Sequence, residues 1–121
     1  MAKTVLIVDD SPTMRRMVGD VLRGAGYAVV EGVNGEDALQ KADGGAVHLV
    51  ITDFNMPVMG GMALVKRLRT RPEFRFTPIL VLTTESSDDR KNEGRAAGAT
   101  GWMVKPFDPN KLIQVVRRLA Q

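Results

Sequence analysis

The sequence predicts an α/β fold in which a doubly wound, five-stranded parallel sheet carries helices on both faces. Short apolar runs alternate with segments of helical periodicity five times along the chain. The apolar runs are continuous, as in strands that are buried on both faces. The 121 residues suffice for one domain with its own core, so we expect a single domain over residues 1–121.

The first strand–helix unit has the clearest boundaries. Thr4–Val8 is a short, β-branched apolar run, which predicts a buried strand. Ser11 and Pro12 then form a helix start, because serine is a good N-cap and proline suits the first helical turn. Apolar residues at helical spacing follow, and we expect Gly24 and Gly26 to end the helix.

The second and third units repeat this alternation. Tyr27–Glu31 predicts a strand, and the next helix starts near Asn34. Asn34 and the glycine after it could instead form a hairpin turn, but the following apolar residues do not alternate as a returning strand would. Val47–Thr52 predicts the third strand. The helix after it carries apolar residues from Met62 to Leu68 and ends before Pro72.

The last two units complete the predicted sheet. Ile79–Thr83 predicts the fourth strand, and a polar helix is expected over Asp88–Ala97. Gly101–Val104 predicts the fifth strand. An amphipathic helix, opened by Asp108 and the proline after it, ends the fold. The polar fourth helix has few large apolar residues, so we expect it to pack weakly and to be able to move.

Composition excludes several classes of function. The chain has no cysteine, which excludes disulfides, thiolate catalysis and zinc–thiolate sites. Its net charge of +3 is spread along the chain, and it has one Trp, one Tyr and four Phe, so a nucleic-acid surface is not expected. The N-terminal apolar run is too short for a signal peptide or a membrane span. We expect a cytoplasmic monomer that binds neither nucleic acid nor membranes.

Polar side chains that can take part in chemistry lie at the carboxyl ends of four of the five predicted strands. Asp9 and Asp10 follow the first strand, Asp53 follows the third, Thr83 ends the fourth, and Lys105 follows the fifth. The carboxyl ends of parallel strands share one edge of the sheet, where α/β proteins form their sites. If the first and third strands are neighbours, the three aspartates converge at this edge.

Three convergent carboxylates require a cation or protons. At about 4 Å and an effective dielectric constant near 20, each pair of carboxylates repels by roughly 4 kcal/mol. A magnesium ion (Mg²⁺) suits a site with few carboxylates and room for water and phosphate oxygens. A carboxylate nucleophile, a metal, a lysine and a hydroxyl are also the parts of a phosphoryl-transfer site. The chain lacks the glycine-rich nucleotide loops, so the phosphoryl group is expected to come from another molecule.

Four motifs, in this order and spacing, resemble the receiver domain of two-component response regulators: VDDSPTMRRMV, TDFNMP, LTTES and GWMVKPF. The resemblance covers the whole chain and is closest to the stand-alone chemotaxis regulators of the CheY type. It implies a flavodoxin-like fold with strand order 2-1-3-4-5. It also implies a cis peptide bond between Lys105 and Pro106.

The resemblance implies a role for each site residue. Asp53 is the expected phosphoryl acceptor. Asp10, Asp53 and the backbone carbonyl of Asn55 are the expected Mg²⁺ ligands, with Asp9 acting through water. Lys105 and Thr83 are expected to contact the phosphoryl group. Further expected roles fall to the switch pair Thr83 and Trp102, and to Asn55 and Glu85, which tune dephosphorylation.

The function that follows from the resemblance is a phosphorylation switch rather than an enzyme. A histidine kinase is the expected phosphoryl donor, and we expect a separate output protein, such as the flagellar motor switch. Three alternatives remain open from the residues: a relay intermediate or phosphate sink, a Mg²⁺-binding interaction module that is never phosphorylated, and an aspartate-based phosphohydrolase. The last usually needs a D-x-D motif, and Asp9-Asp10-Ser11 does not provide one.

Overall fold

The structure is a computed structural model that describes residues 2–43 and 45–121. Within these residues, five strands alternate with five α-helices and one short 3₁₀ helix. The strands are β1 (Thr4–Val8), β2 (Ala28–Gly32), β3 (Leu49–Thr52), β4 (Ile79–Thr83) and β5 (Gly101–Val104). The α-helices are α1 (Pro12–Gly24), α2 (Gly35–Ala42), α3 (Gly61–Arg69), α4 (Asp88–Ala97) and α5 (Pro109–Leu119), and the 3₁₀ helix is Pro72–Phe74.

The strands form one parallel sheet in the order β2-β1-β3-β4-β5. The order implied by the resemblance is therefore confirmed. It reverses between β1 and β3, which are direct neighbours with Val8 paired to Thr52. The carboxyl ends of these two strands consequently lie side by side, at the point where an open α/β sheet forms its site.

Two apolar cores enclose the sheet, one on each face. Val5 and Ile7 point into the first core, together with α1 and α5, while Leu6 and Val8 point into the second core, together with α2 and α3. The alternation follows from the period of two along a strand. Because both cores draw on β1, β3 and β4, these strands are buried on both faces, as their continuous apolar sequences predicted.

The structure corrects the bounds of two strands and adds one element. β2 runs from Ala28 to Gly32 rather than from Tyr27 to Glu31, because the Tyr27 amide donates to Leu22 at the end of α1 and Gly32 still pairs with Val8 of β1. β3 begins at Leu49 rather than Val47, since the imidazole of His48 accepts the Thr4 amide and the strand pairing starts one residue later. A 3₁₀ helix fills the segment after α3, where only a break was predicted.

The polar helix α4 has the bounds that the sequence predicted. Of its ten residues, all of which the structure describes, only Gly94 is buried. The Ser87 side chain caps its start by accepting the Arg90 amide, and Gly98 ends it in a left-handed conformation with φ of 117°. The helix therefore has good caps but little apolar contact with the body of the domain.

Arg69, the last residue of α3, joins three backbone segments. Its guanidinium donates to the carbonyls of Phe74 at 2.6 Å and Thr77 at 2.7 Å, and to the Gly98 carbonyl through Nε at 3.1 Å and Nη2 at 2.9 Å. Burial of the guanidinium lowers the pKa of Arg69. The C-terminal end of α4 is thus attached to α3 and to the turn before β4.

Among the residues that the structure describes, no helix has both the length and the apolar character needed to span a bilayer.

Candidate functional site

The three aspartates that follow β1 and β3 converge, as predicted from the strand ends. Asp9, Asp10 and Asp53 form an acidic cluster in which one carboxylate oxygen of each residue lies within 4.8 Å of the others. Asp9 is buried, Asp53 is half-buried and Asp10 is exposed. The cluster is therefore open to solvent on the Asp10 side and closed toward the sheet.

Lys105 reaches this cluster from the end of β5. Its ammonium lies 2.8 Å from Asp9 Oδ2 and 3.3 Å from Asp53 Oδ2. The Lys105 amide donates to the Thr83 carbonyl, which extends the pairing of β4 and β5 to this residue. The peptide bond from Lys105 to Pro106 is cis, as the resemblance implied. The sheet thus positions the largely buried Lys105 ammonium between two of the three carboxylates.

Backbone amides orient the two inner carboxylates. Asp9 Oδ1 accepts the Ser11 amide at 2.9 Å, and Asp53 Oδ1 accepts the Phe54 amide at 2.7 Å. In each carboxylate the other oxygen, Oδ2, points toward Lys105. The carboxylates are consequently held in place by the turns that follow their strands, before any ligand is present.

The loop after β3 carries Asn55 next to the acidic cluster. The Asn55 side chain is exposed, and the loop continues through Val58, a β-branched residue with φ of 71°. A left-handed backbone is unusual for valine, so the loop is strained at this position.

Thr83 and Trp102 are connected through the backbone of Glu85. Thr83 is fully buried, and its hydroxyl accepts the Glu85 amide at 3.3 Å. The Glu85 carbonyl accepts the indole Nε1–H of Trp102 at 2.9 Å. Among the described residues, Thr83 makes no hydrogen bond to the acidic cluster. The turn after β4 therefore joins the two expected switch residues into one unit beside the acidic cluster.

Two residues that the sequence analysis did not single out contact this unit. The Phe54 ring packs against Trp102 in a tilted arrangement, with ring centroids 5.6 Å apart and an interplanar angle of 55°. Gly94 of α4 lies against the indole ring of Trp102. The position of Phe54 directly after Asp53 could have marked it as a candidate, whereas no local pattern indicates that Gly94 meets Trp102.

Comparison with known proteins places this geometry in a family. The model of the response regulator receiver domain matches residues 5–117. Chemotaxis protein CheY1 of Helicobacter pylori is 41% identical over 110 residues, which cover 89% of this chain and 89% of that protein. Chemotaxis protein CheY-3 of Vibrio cholerae is 38% identical over 120 residues, which cover 95% of this chain and 92% of that protein.

The fold comparison agrees. The structure of the Vibrio cholerae chemotaxis protein CheY4 superimposes with a TM-score of 0.95 and 47% identity, covering 98% of this chain and 99% of that chain. The chain therefore belongs to the response regulator receiver domain family, and it is a receiver domain of the CheY type in two-component signalling.

Proposed function

We propose that this receiver domain is a phosphorylation switch in which Asp53 accepts a phosphoryl group from a histidine kinase. The observation that carries this proposal is the convergence of Asp9, Asp10 and Asp53 within 4.8 Å, with Lys105 between two of them. The formal charges of the three carboxylates and the one ammonium sum to −2, which one divalent cation would neutralise.

The donor set fits Mg²⁺. Asp10, Asp53 and the Asn55 carbonyl would hold the ion directly, and Asp9 would act through water. All of these donors are oxygens, which is the ligand type that Mg²⁺ prefers, and the exposed Asp10 side leaves room for water and phosphate. The bound ion would neutralise negative charge on the phosphoryl oxygens.

The chemistry then belongs to Asp53 and Lys105. One carboxylate oxygen of Asp53 attacks the phosphorus of the kinase phosphohistidine, the P–N bond breaks, and the imidazole keeps the electron pair and takes up a proton. The product is an aspartyl phosphate. Lys105 can turn its ammonium from the Asp53 carboxylate to a phosphoryl oxygen, because its second partner, Asp9, keeps it in the site.

Thr83 and Trp102 would report the modification to the surface. The Thr83 hydroxyl turns toward the new phosphoryl group. This turn breaks or shifts its hydrogen bond with the Glu85 amide, and so moves the Glu85 carbonyl that accepts the Trp102 indole N–H in this structure. The surface formed by α4, β5 and α5 then changes its affinity for a partner. This is a shift between two populations, so phosphorylation acts only as far as it favours one of them. Asn55 and Glu85 are assigned the tuning of dephosphorylation.

The partners proposed are a histidine kinase and a separate output protein. The flagellar motor switch is the proposed output, since the matched relatives are chemotaxis proteins. The chain would act as a monomer in the cytoplasm, and its self-modification would make it a signalling protein rather than an enzyme with a separate substrate.

Acetyl phosphate labelling followed by intact mass measurement tests this function. We expect one added phosphoryl group in the wild type with Mg²⁺, and none with EDTA or in Asp53→Asn. Asp20→Asn is the matched control, because Asp20 is an exposed carboxylate of α1 that pairs only with neighbouring arginines in the described residues. It should be labelled like the wild type.

The other outcomes identify the alternatives. Magnesium binding without any labelling would indicate an interaction module, and multiple turnover on phosphoesters would indicate a phosphohydrolase. Passage of the label from Asp53 to a histidine of a phosphotransfer protein would indicate a relay intermediate.

A further inference from the structure

We propose that Gly94 is the positioning residue for Trp102, and that its missing side chain admits the indole between α4 and the turn after β4. The ring then occupies an indole site formed by Gly94, the Phe54 ring and the Glu85 carbonyl. The regulatory consequence of this arrangement rests on the proposed function, but the arrangement itself can be tested without phosphorylation.

Steric space is the first support. A Cβ atom built on Gly94 would lie 2.7 Å from Cζ3 and 3.1 Å from Cε3 of Trp102, and 3.5 Å from the terminal methyl of Met62. The first distance is shorter than carbon atoms tolerate, and an aromatic ring cannot bend to relieve it. An alanine at position 94 would therefore force the indole ring away from α4.

Helix chemistry is the second support. Glycine in a helix interior is about 1 kcal/mol less favourable than alanine, which corresponds to roughly a fivefold loss in the folding equilibrium constant. Gly94 lies in the middle of α4, a helix with little apolar contact to offset that loss. The contact with Trp102 gives a physical reason for a glycine at this position.

The indole site is connected both to Thr83 and to the proposed phosphoryl acceptor Asp53. On one side Trp102 donates to the Glu85 carbonyl, and the Glu85 amide donates to the Thr83 hydroxyl. On the other side its ring contacts Phe54, whose amide donates to Asp53. Given the proposed function, Gly94 lets a change at Asp53 or Thr83 reach α4 through one rigid side chain.

A double-mutant cycle tests the steric claim. Gly94→Ala and Gly24→Ala are made in the wild type and in Trp102→Val, and urea unfolding is followed by circular dichroism. Gly24 is the matched control, since the described residues leave the space around its Cβ position empty to 4 Å at the end of α1.

We expect the effect of Gly94→Ala on stability to have opposite signs with and without Trp102. Gly94→Ala should lower the folding equilibrium constant of the wild type, and raise that of Trp102→Val roughly fivefold through helix propensity. Gly24→Ala should have the same effect in both backgrounds. Equal effects of Gly94→Ala in the two backgrounds would overturn the proposal.

Fluorescence of the sole tryptophan gives an independent measurement. In Gly94→Ala we expect emission at longer wavelength and stronger acrylamide quenching, because the indole leaves the indole site for water. Emission unchanged from that of the wild type would overturn the proposal. Acetyl phosphate should still label Gly94→Ala. The two tests are separate: if the wild type were not labelled, the proposed function would be refuted, but the unfolding and fluorescence results for Gly94 would still hold.

Discussion

Replacing Lys105 by methionine removes the only positive charge that the described residues place between Asp9 and Asp53. With distances of 2.8 and 3.3 Å, the two attractions amount to about 6 and 5 kcal/mol at an effective dielectric constant near 20. Burial of the ammonium offsets much of this, since the Lys105 side chain is only 9% exposed. Removing one partner of a buried ion pair nevertheless costs roughly 3–5 kcal/mol, because the other partner stays buried and uncompensated.

We therefore expect Lys105→Met to lower the free energy of unfolding by about 3 kcal/mol in EDTA, at the lower end of that range because the Asp10 side of the cluster is open to water. Magnesium should restore more stability in this variant than it adds to the wild type, since no ammonium competes for the carboxylates. A metal at a hundredfold excess over its Kd adds about 2.7 kcal/mol.

Urea unfolding with EDTA and with saturating Mg²⁺ measures both effects. Lys66→Met is the matched control, because Lys66 is an exposed residue of α3 and should change stability by less than about 1 kcal/mol. If Lys105→Met lowered the free energy of unfolding no more than Lys66→Met, or if Mg²⁺ stabilised it less than the wild type, the stability of the acidic cluster would not depend on a cation.

Three further substitutions have defined outcomes. Val58→Asn should raise the free energy of unfolding by about 1 kcal/mol, because asparagine tolerates the φ of 71° and Val58 is 75% exposed; no gain in urea unfolding would contradict the strain. Arg69→Met should lower it by roughly 2–4 kcal/mol and speed amide exchange at Gly98, whereas unchanged exchange would show that the guanidinium does not hold α4. The amide of Val33 holds the pKa of Asp37 below its ordinary value of 3.8. The stabilisation from this shift is present above pH 3.8 and is lost as the pH falls through the lower folded-state pKa. Asp37→Asn should therefore make the free energy of unfolding depend less on pH in this range. A pH dependence equal to that of the wild type would contradict the assignment.

The sheet and the acidic cluster could be predicted because the pattern that encodes them is local. The bounds of β4, α4 and β5 match the prediction, since each of these elements has a clear change of periodicity or a capping residue at its ends. The convergence of the aspartates followed from one topological condition, the adjacency of β1 and β3, because parallel strands end at the same edge.

Contacts between distant residues could not be predicted in the same way. Arg69 belongs to a helix end rich in bases, and nothing in its neighbours indicates that its guanidinium reaches Gly98, 29 residues later. From the sequence, α4 was expected only to be a polar helix with few large apolar residues, and nothing local distinguishes Gly94. Its role depends on which side chain of β5 faces it, and the sequence pattern gives the face of a strand but not the atoms it meets.

The attachment of α4 at one end gives this helix the geometry of a lever. Arg69 fixes the end at Gly98, while the opposite end, at Asp88, begins a few residues after Thr83. A helix of ten residues is about 15 Å long, so a tilt of about 10° around the fixed end would carry the far end through roughly 2.5 Å. Displacement would thus be largest close to the acceptor site and would fade toward Gly98.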